Sequence, residues 1–144
     1  MKRLPMLPAA ALAALVGCGP AGGQFIGTWQ VATDTNSFTC ANVPGSSTVT
    51  GNITIAAGTS GDVVTTDPNG CNLHWTPNGN TLTLQPNQSC GETNNGVTAA
   101  IQFSSGTVTA TSSAALTGTL AGSGTFNIVA CTFSDTFTAT KVAN

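Results

Sequence analysis

Along most of this chain, apolar and hydroxyl-bearing residues alternate at a period of two, and no apolar stripe of helical spacing outlasts a turn. Residues i, i+2 and i+4 share one face of a strand, so this alternation dictates β structure before anything else is considered. Its strongest instance is Cys71–Thr76, the turn Pro77-Asn78-Gly79, and Asn80–Gln85. Cys71, Leu73 and Trp75 fall on one face there, Leu82 and Leu84 answer them, and the glycine serves the positive φ that a tight hairpin turn requires. The same period marks strands over about Phe25–Thr33, Ser47–Ala57, Asp62–Thr66, Val97–Thr111, Leu116–Ile128 and Cys131–Val142. Gly58-Thr59-Ser60-Gly61 and Asp67-Pro68-Asn69-Gly70 read as turns. Asp34–Gly45 and Pro86–Gly96 read as two long polar connections.

That makes eight strands joined by local connections, with no room for crossover helices. Consecutive antiparallel strands form a meander, and eight of them close into an up-and-down barrel, which also removes the edges a Thr- and Val-rich sheet would expose. The predicted fold is therefore all-β, a single antiparallel barrel of about eight strands, with a two-sheet β-sandwich as the alternative.

The first residues carry a different message. A basic head, Met1-Lys2-Arg3, precedes an apolar run from Leu4 to Val16, which is too short to span a bilayer. The run ends in Leu15-Val16-Gly17-Cys18, followed by Gly19-Pro20-Ala21-Gly22-Gly23. This stretch resembles the lipobox of bacterial lipoproteins. The resemblance implies cleavage before Cys18 and acylation of that cysteine, each buried methylene contributing about 0.8 kcal/mol of membrane affinity. It divides the chain into a signal peptide over 1–17, an acylated Cys18 with a flexible tether over 18–24, and a barrel domain over 25–144. It also implies a lipid-anchored place in a bacterial cell envelope. Gly19 stands where many inner-membrane lipoproteins carry Asp, so the outer membrane is favoured over the inner.

Removing residues 1–17 leaves 144 − 17 = 127 residues in which Lys141 is the only Lys or Arg, against Asp34, Asp62, Asp67, Glu92 and Asp135. The net charge of that part is 1 − 5 = −4. It cannot build the basic patch that nucleic acid or an anionic lipid surface requires, so membrane attachment falls to the lipid on Cys18.

Four dispersed cysteines remain, an even number in an exported chain, which predicts two disulfides. Zinc is a poor alternative, because there is no Cys-x-x-Cys and His74 is the only imidazole. Counting strand directions from the tether puts Cys40, Cys71, Cys90 and Cys131 all at the far end of the barrel. The hairpin then favours Cys71–Cys90, and closure of the last strand on the first favours Cys40–Cys131. Each bridge would stabilise by roughly 3–5 kcal/mol in the chain-entropy picture.

Gly27-Thr28-Trp29, at the start of the first strand of an eight-stranded barrel, is similar to the Gly-x-Trp of the lipocalin family. The resemblance makes Trp29 the plug of the closed end and implies a small apolar ligand inside; without it, Trp29 reads simply as a core aromatic. The mature part has no Arg to pack over that Trp.

Catalytic patterns are absent from the sequence. There is no Gly-x-Ser-x-Gly elbow, the five acids sit in no motif, and His74 alternates out of phase with Leu73 and Trp75, so it faces solvent. Asp34, Asp67 and Glu92 fall on the far loops with no EF-hand spacing, and no metal or cofactor is expected. Asp135 shares parity with Phe133 and Phe137, which points its carboxyl inward. A bulge could turn it out, the rim could wet it, or a ligand's donor could meet it.

The apolar inward candidates carry bulk enough to fill the interior, while Gly118, Gly122 and Gly124 on the seventh strand could accept Trp29, allow sharp coiling or leave a cleft. A filled barrel would make this a non-enzymatic surface lipoprotein presenting disulfide-pinned loops to a partner protein. A hollow one would make it a carrier of a small apolar ligand, with Trp29, Trp75 and Asp135 as the candidate binding residues.

Overall fold

Ten strands hydrogen-bond into one antiparallel sheet in the structure, a computed structural model describing residues 21–48, 50–94 and 97–143. They are β1 (Gly27–Cys40), β2 (Val43–Ser47), β3 (Gly51–Ala57), β4 (Val63–Thr66), β5 (Asn72–Asn78), β6 (Thr81–Leu84), β7 (Ser89–Asn94), β8 (Val97–Ser112), β9 (Ala115–Phe126) and β10 (Val129–Ala143). Eight of them follow one another around a ring, β1-β3-β4-β5-β6-β8-β9-β10, and β10 closes on β1. The fold is an up-and-down barrel, lipocalin-like in architecture.

The two remaining strands correct the expected boundaries. Asp34–Gly45 is not a connection: β1 continues to Cys40, turns through Ala41 and Asn42 at positive φ, and returns as β2. Likewise Ser89–Asn94 pairs with the first half of β8 as β7. Both stretches are rich in Asp, Asn, Ser and Gly, residues of low β propensity. Pairing outweighs propensity here, because β1 stays in register with β10 from Trp29 to Cys40, apart from one bulge.

That bulge is consequential. Val31 pairs with Ala139 and Thr33 with Thr138, leaving Ala32 as the extra residue. An extra residue reverses strand parity. Trp29 and Val31 face inward before it; Asp34, Asn36, Phe38 and Cys40 face inward after it.

One pole of the barrel is solid. Gly23–Phe25 form a 3-10 turn and Gly22 is buried, so the described part of the expected tether packs against this end of the barrel. Phe25, Trp29, Ile55, Val63, Leu82 and Leu116 are essentially sealed from solvent there. Each such side chain contributes ~1.5–3 kcal/mol by burial. Trp29 donates its indole N–H to the Phe25 carbonyl at 2.7 Å. Lys141 lies over its ring, 5.3 Å from the centroid, so a lysine takes the place left without an Arg.

The β9 glycines are explained by what presses on them. A Cβ at Gly118 would run into the Phe137 ring, and one at Gly122 into the Gln102 carbonyl and the Phe133 ring. At Gly124 it would strike the Ala100 carbonyl. They admit β10 aromatics and let β9 lie tightly on β8, and none of them receives Trp29.

Candidate functional site

Above the solid pole the barrel is hollow. A cavity of about 720 Å³ opens toward the other end, within the span of small-molecule pockets. The expected apolar bulk is present but concentrated at the Trp29 pole. Trp75 lies at the cavity floor, its indole N–H donating to Thr65 Oγ1 at 2.9 Å. Phe103 and Phe133 line the wall in an edge-to-face pair, centroids 5.7 Å apart, and Phe38 and Phe137 continue it.

The rim carries all four cysteines. Cys40 is bonded to Cys131 and Cys71 to Cys90, each pair joining elements at the open end. The first welds the closing strands β1 and β10 at their far tips; the second ties the start of β5 to β7.

One stretch of the wall is polar. Asn36 is paired directly with Asp135 across the β1–β10 ladder, and Asp34 with Phe137, which makes Asp34 and Asp135 diagonal neighbours on the same inner face. Asp34 is 8% exposed. Asp34 Oδ1, Asn36 Oδ1 and Asp135 Oδ1 are all buried without a hydrogen-bond partner. Such atoms are costly, about 1–3 kcal/mol each and more when charged. Burial pushes the Asp135 carboxyl up to about 7; a hydrogen bond from its protonated form to Asp34 and the nearness of that second carboxyl add to the shift, against a smaller opposing pull from the Thr136 N–H. No bulge turns Asp135 outward, since β10 keeps continuous register with both neighbours around it.

The candidate residues therefore separate. Trp75 and Asp135 line the cavity; Trp29 does not, because it is sealed inside the plug below. Asp34 and Asn36 join them, although they fall in the stretch whose sequence reads as a polar connection. Of the acids considered for a far-loop calcium site, Asp34 is inside the barrel, and Asp67 Oδ1 already accepts the N–H groups of Asn69 and Cys71. Glu92 belongs to β7, its side chain outside the described part, as are Cys18 and the whole of 1–17. Among the described residues no group of three His, Cys, Asp or Glu could hold a metal.

His74 is on the outer face, its side chain 46% exposed, with Nδ1 2.6 Å from Asp62 Oδ2. The hydrogen bond from His74 and one from the Ser60 N–H hold the Asp62 carboxyl below the usual carboxylate range. This pair fixes the β4 approach and is remote from the cavity lining. A second depression, of about 910 Å³, lies between the 41–42 turn and β7. It is open to solvent and bordered largely by Thr, Ser, Ala and Gly, with no orphaned buried polar atom.

No known family matches the chain, and no curated protein matches it. Among solved structures it is similar to a protein of unknown function from the DUF3598 family of Nostoc punctiforme, at 10% identity and a TM-score of 0.45. That alignment covers 83% of this chain and 48% of the other, so the chain spans about half the length of this neighbour.

Proposed function

We propose that this protein is a lipid-anchored barrel of the bacterial cell envelope that carries a small, largely apolar molecule in its open half, without catalysis. The observation that carries the reading is the cavity of about 720 Å³, walled by Phe side chains and floored by Trp75. An empty apolar space of that size forfeits packing that a filled core would gain, and a ligand restores it. The anchor rests on the lipobox-like Leu15-Val16-Gly17-Cys18, and an outer-membrane site on Gly19. With the acyl chains at the plugged pole, the mouth would face away from the membrane to which the protein is tied.

A second reading, presentation of the disulfide-pinned end to a protein partner, draws on the β9–β10 tip, where Ile128 is 94% exposed beside Val129. Native mass spectrometry of the full chain purified from its membrane separates the two. The carrier predicts a co-purifying small molecule lost on denaturation. A mass equal to polypeptide, two disulfides and acyl chains favours the presenting role. In the same preparation, partition into detergent that is abolished by Cys18→Ser supports the anchor, and unchanged partition removes it.

A further inference from the structure

The cavity's polar wall points to the chemistry of what fills it. We propose that the ligand is an apolar amine, its ammonium held between Asp34 and Asp135 and its hydrocarbon laid over Trp75 and Phe137. The proposal rests on the carrier reading and adds to it the class of molecule carried.

Asp34 Oδ1 and Asp135 Oδ1 are buried, face the same cavity and, with both carboxyls ionised, have no donor. Ionised carboxylates are acceptors only, so what they lack is donors. Asn36, directly opposite Asp135, adds a third orphan oxygen to the same wall. An ammonium brings three N–H donors and no acceptor. A hydroxyl brings one donor and no charge, so it cannot replace the proton that keeps one of the two carboxyls neutral. A carboxylate ligand brings only further acceptors, with like charge.

Charge points the same way. Two carboxylates sharing an apolar wall do not both ionise unless a cation lies between them. In the empty protein a proton takes that part, consistent with the high titration of Asp135. No basic side chain competes for it: Lys141, the one cation among the described residues, is committed to Trp29 in the plug. The other groups facing Asp135 do not change the balance. Leu120 lies opposite on β9 and Asn36 on β1, and Asp67, on the β4–β5 turn, adds one more acid whose Oδ1 is already engaged. When R–NH3⁺ enters, the proton shared by the pair leaves to solvent, and no covalent bond changes.

The test uses octylamine, 1-octanol and octanoate as probes on the full-length chain, with tryptophan fluorescence and titration calorimetry. Octylamine should bind at least tenfold more tightly than octanol at pH 7.5, and octanoate most weakly. Octylamine affinity should rise from pH 5.5 to 8, with close to one proton released per ligand at pH 6 and little above pH 8. Octanol affinity should not rise over that range. Asp135→Asn and Asp34→Asn, each checked for folding by circular dichroism, should bring the amine down to the level of the alcohol measured on the same variant. An amine no tighter than the alcohol, or a preference surviving both variants, overturns the proposal while leaving the carrier intact. If none of the three probes binds, the carrier reading falls and this inference falls with it.

Discussion

Replacing Asp135 by Asn should make this barrel more stable at neutral and alkaline pH and leave its stability near pH 4 almost unchanged. Asn keeps the shape of a protonated carboxyl but cannot ionise. In the folded protein Asp135 is pushed up to about 7 from an ordinary 3.8, chiefly by burial and then by Asp34. Between those values the folded chain holds a proton that the unfolded chain has released, so stability falls as pH rises. The contribution is whole below pH 4 and gone above about pH 8. A shift of some three pH units corresponds to ~4 kcal/mol for a group cut off from solvent. Asp135 is only half-buried, and solvent screening removes at least half of that, leaving ~1–2 kcal/mol.

For a domain of this size that is a difference of about 4–8 °C in melting temperature. The measurement is thermal unfolding by circular dichroism from pH 4 to 8.5, for the parent and Asp135→Asn. The two melts should coincide near pH 4, separate steadily up to about pH 7 with the variant higher, and then run level. His74 and Asp62 are common to both proteins and cancel in the difference. Parallel curves would mean that Asp135 ionises freely and does not face an apolar wall.

Gly122→Ala should lower the unfolding free energy in a urea titration by ~2–3 kcal/mol, since its Cβ meets the Gln102 carbonyl and the Phe133 ring, an overpacking that backbone cannot relieve cheaply. Gly91→Ala, whose Cβ would find only the Ala99 carbonyl at 3.8 Å, should stay within ~0.5 kcal/mol in the same urea titration. Removing the Cys40–Cys131 bridge with paired Ser substitutions opens a separation of 91 residues and should cost ~4–5 kcal/mol, against ~3 kcal/mol for Cys71–Cys90 and its 19. Equal losses from the two would show that strain, not loop length, governs them.

The closed meander was legible because its signal is redundant. Eight alternating segments, turn residues between them and four thiols at one end all agree. The Cys71–Gln85 hairpin alone fixes which face of β5 and β6 is inward, and Leu73, Trp75 and Leu82 are buried there. Hollowness was not legible, because side-chain bulk summed along a sequence says nothing about how it is shared between the poles. Phe103, Phe133 and Phe137 are inward and large, yet they line a space because the Trp29 pole is filled by other residues.

The binding wall was hidden by a single inserted residue. Reading Trp29 and Val31 inward at period two carries Thr33 inward and Asp34 out, and an acid followed by Thr, Asn and Ser then looks like a loop. The Ala32 bulge reverses this, and nothing in the local sequence announces it. A non-local route existed. Once Cys40 is bonded to Cys131, the antiparallel ladder can be counted back from the bridge: Phe38 faces Phe133, and Asn36 faces Asp135. Parity then places Asp34 on the same inner face as Asp135. The disulfide does more than pin a rim, because it sets the register that brings two carboxyls into one apolar chamber. Bridge and site are therefore coupled in a testable sense. Loosening the ladder at Cys40–Cys131 should weaken the Asp34–Asp135 pairing, and the Asp135→Asn melting difference at pH 8.5 should shrink in the Ser-substituted background. If that difference stays at full size without the bridge, the strands hold their own register and the coupling is refuted.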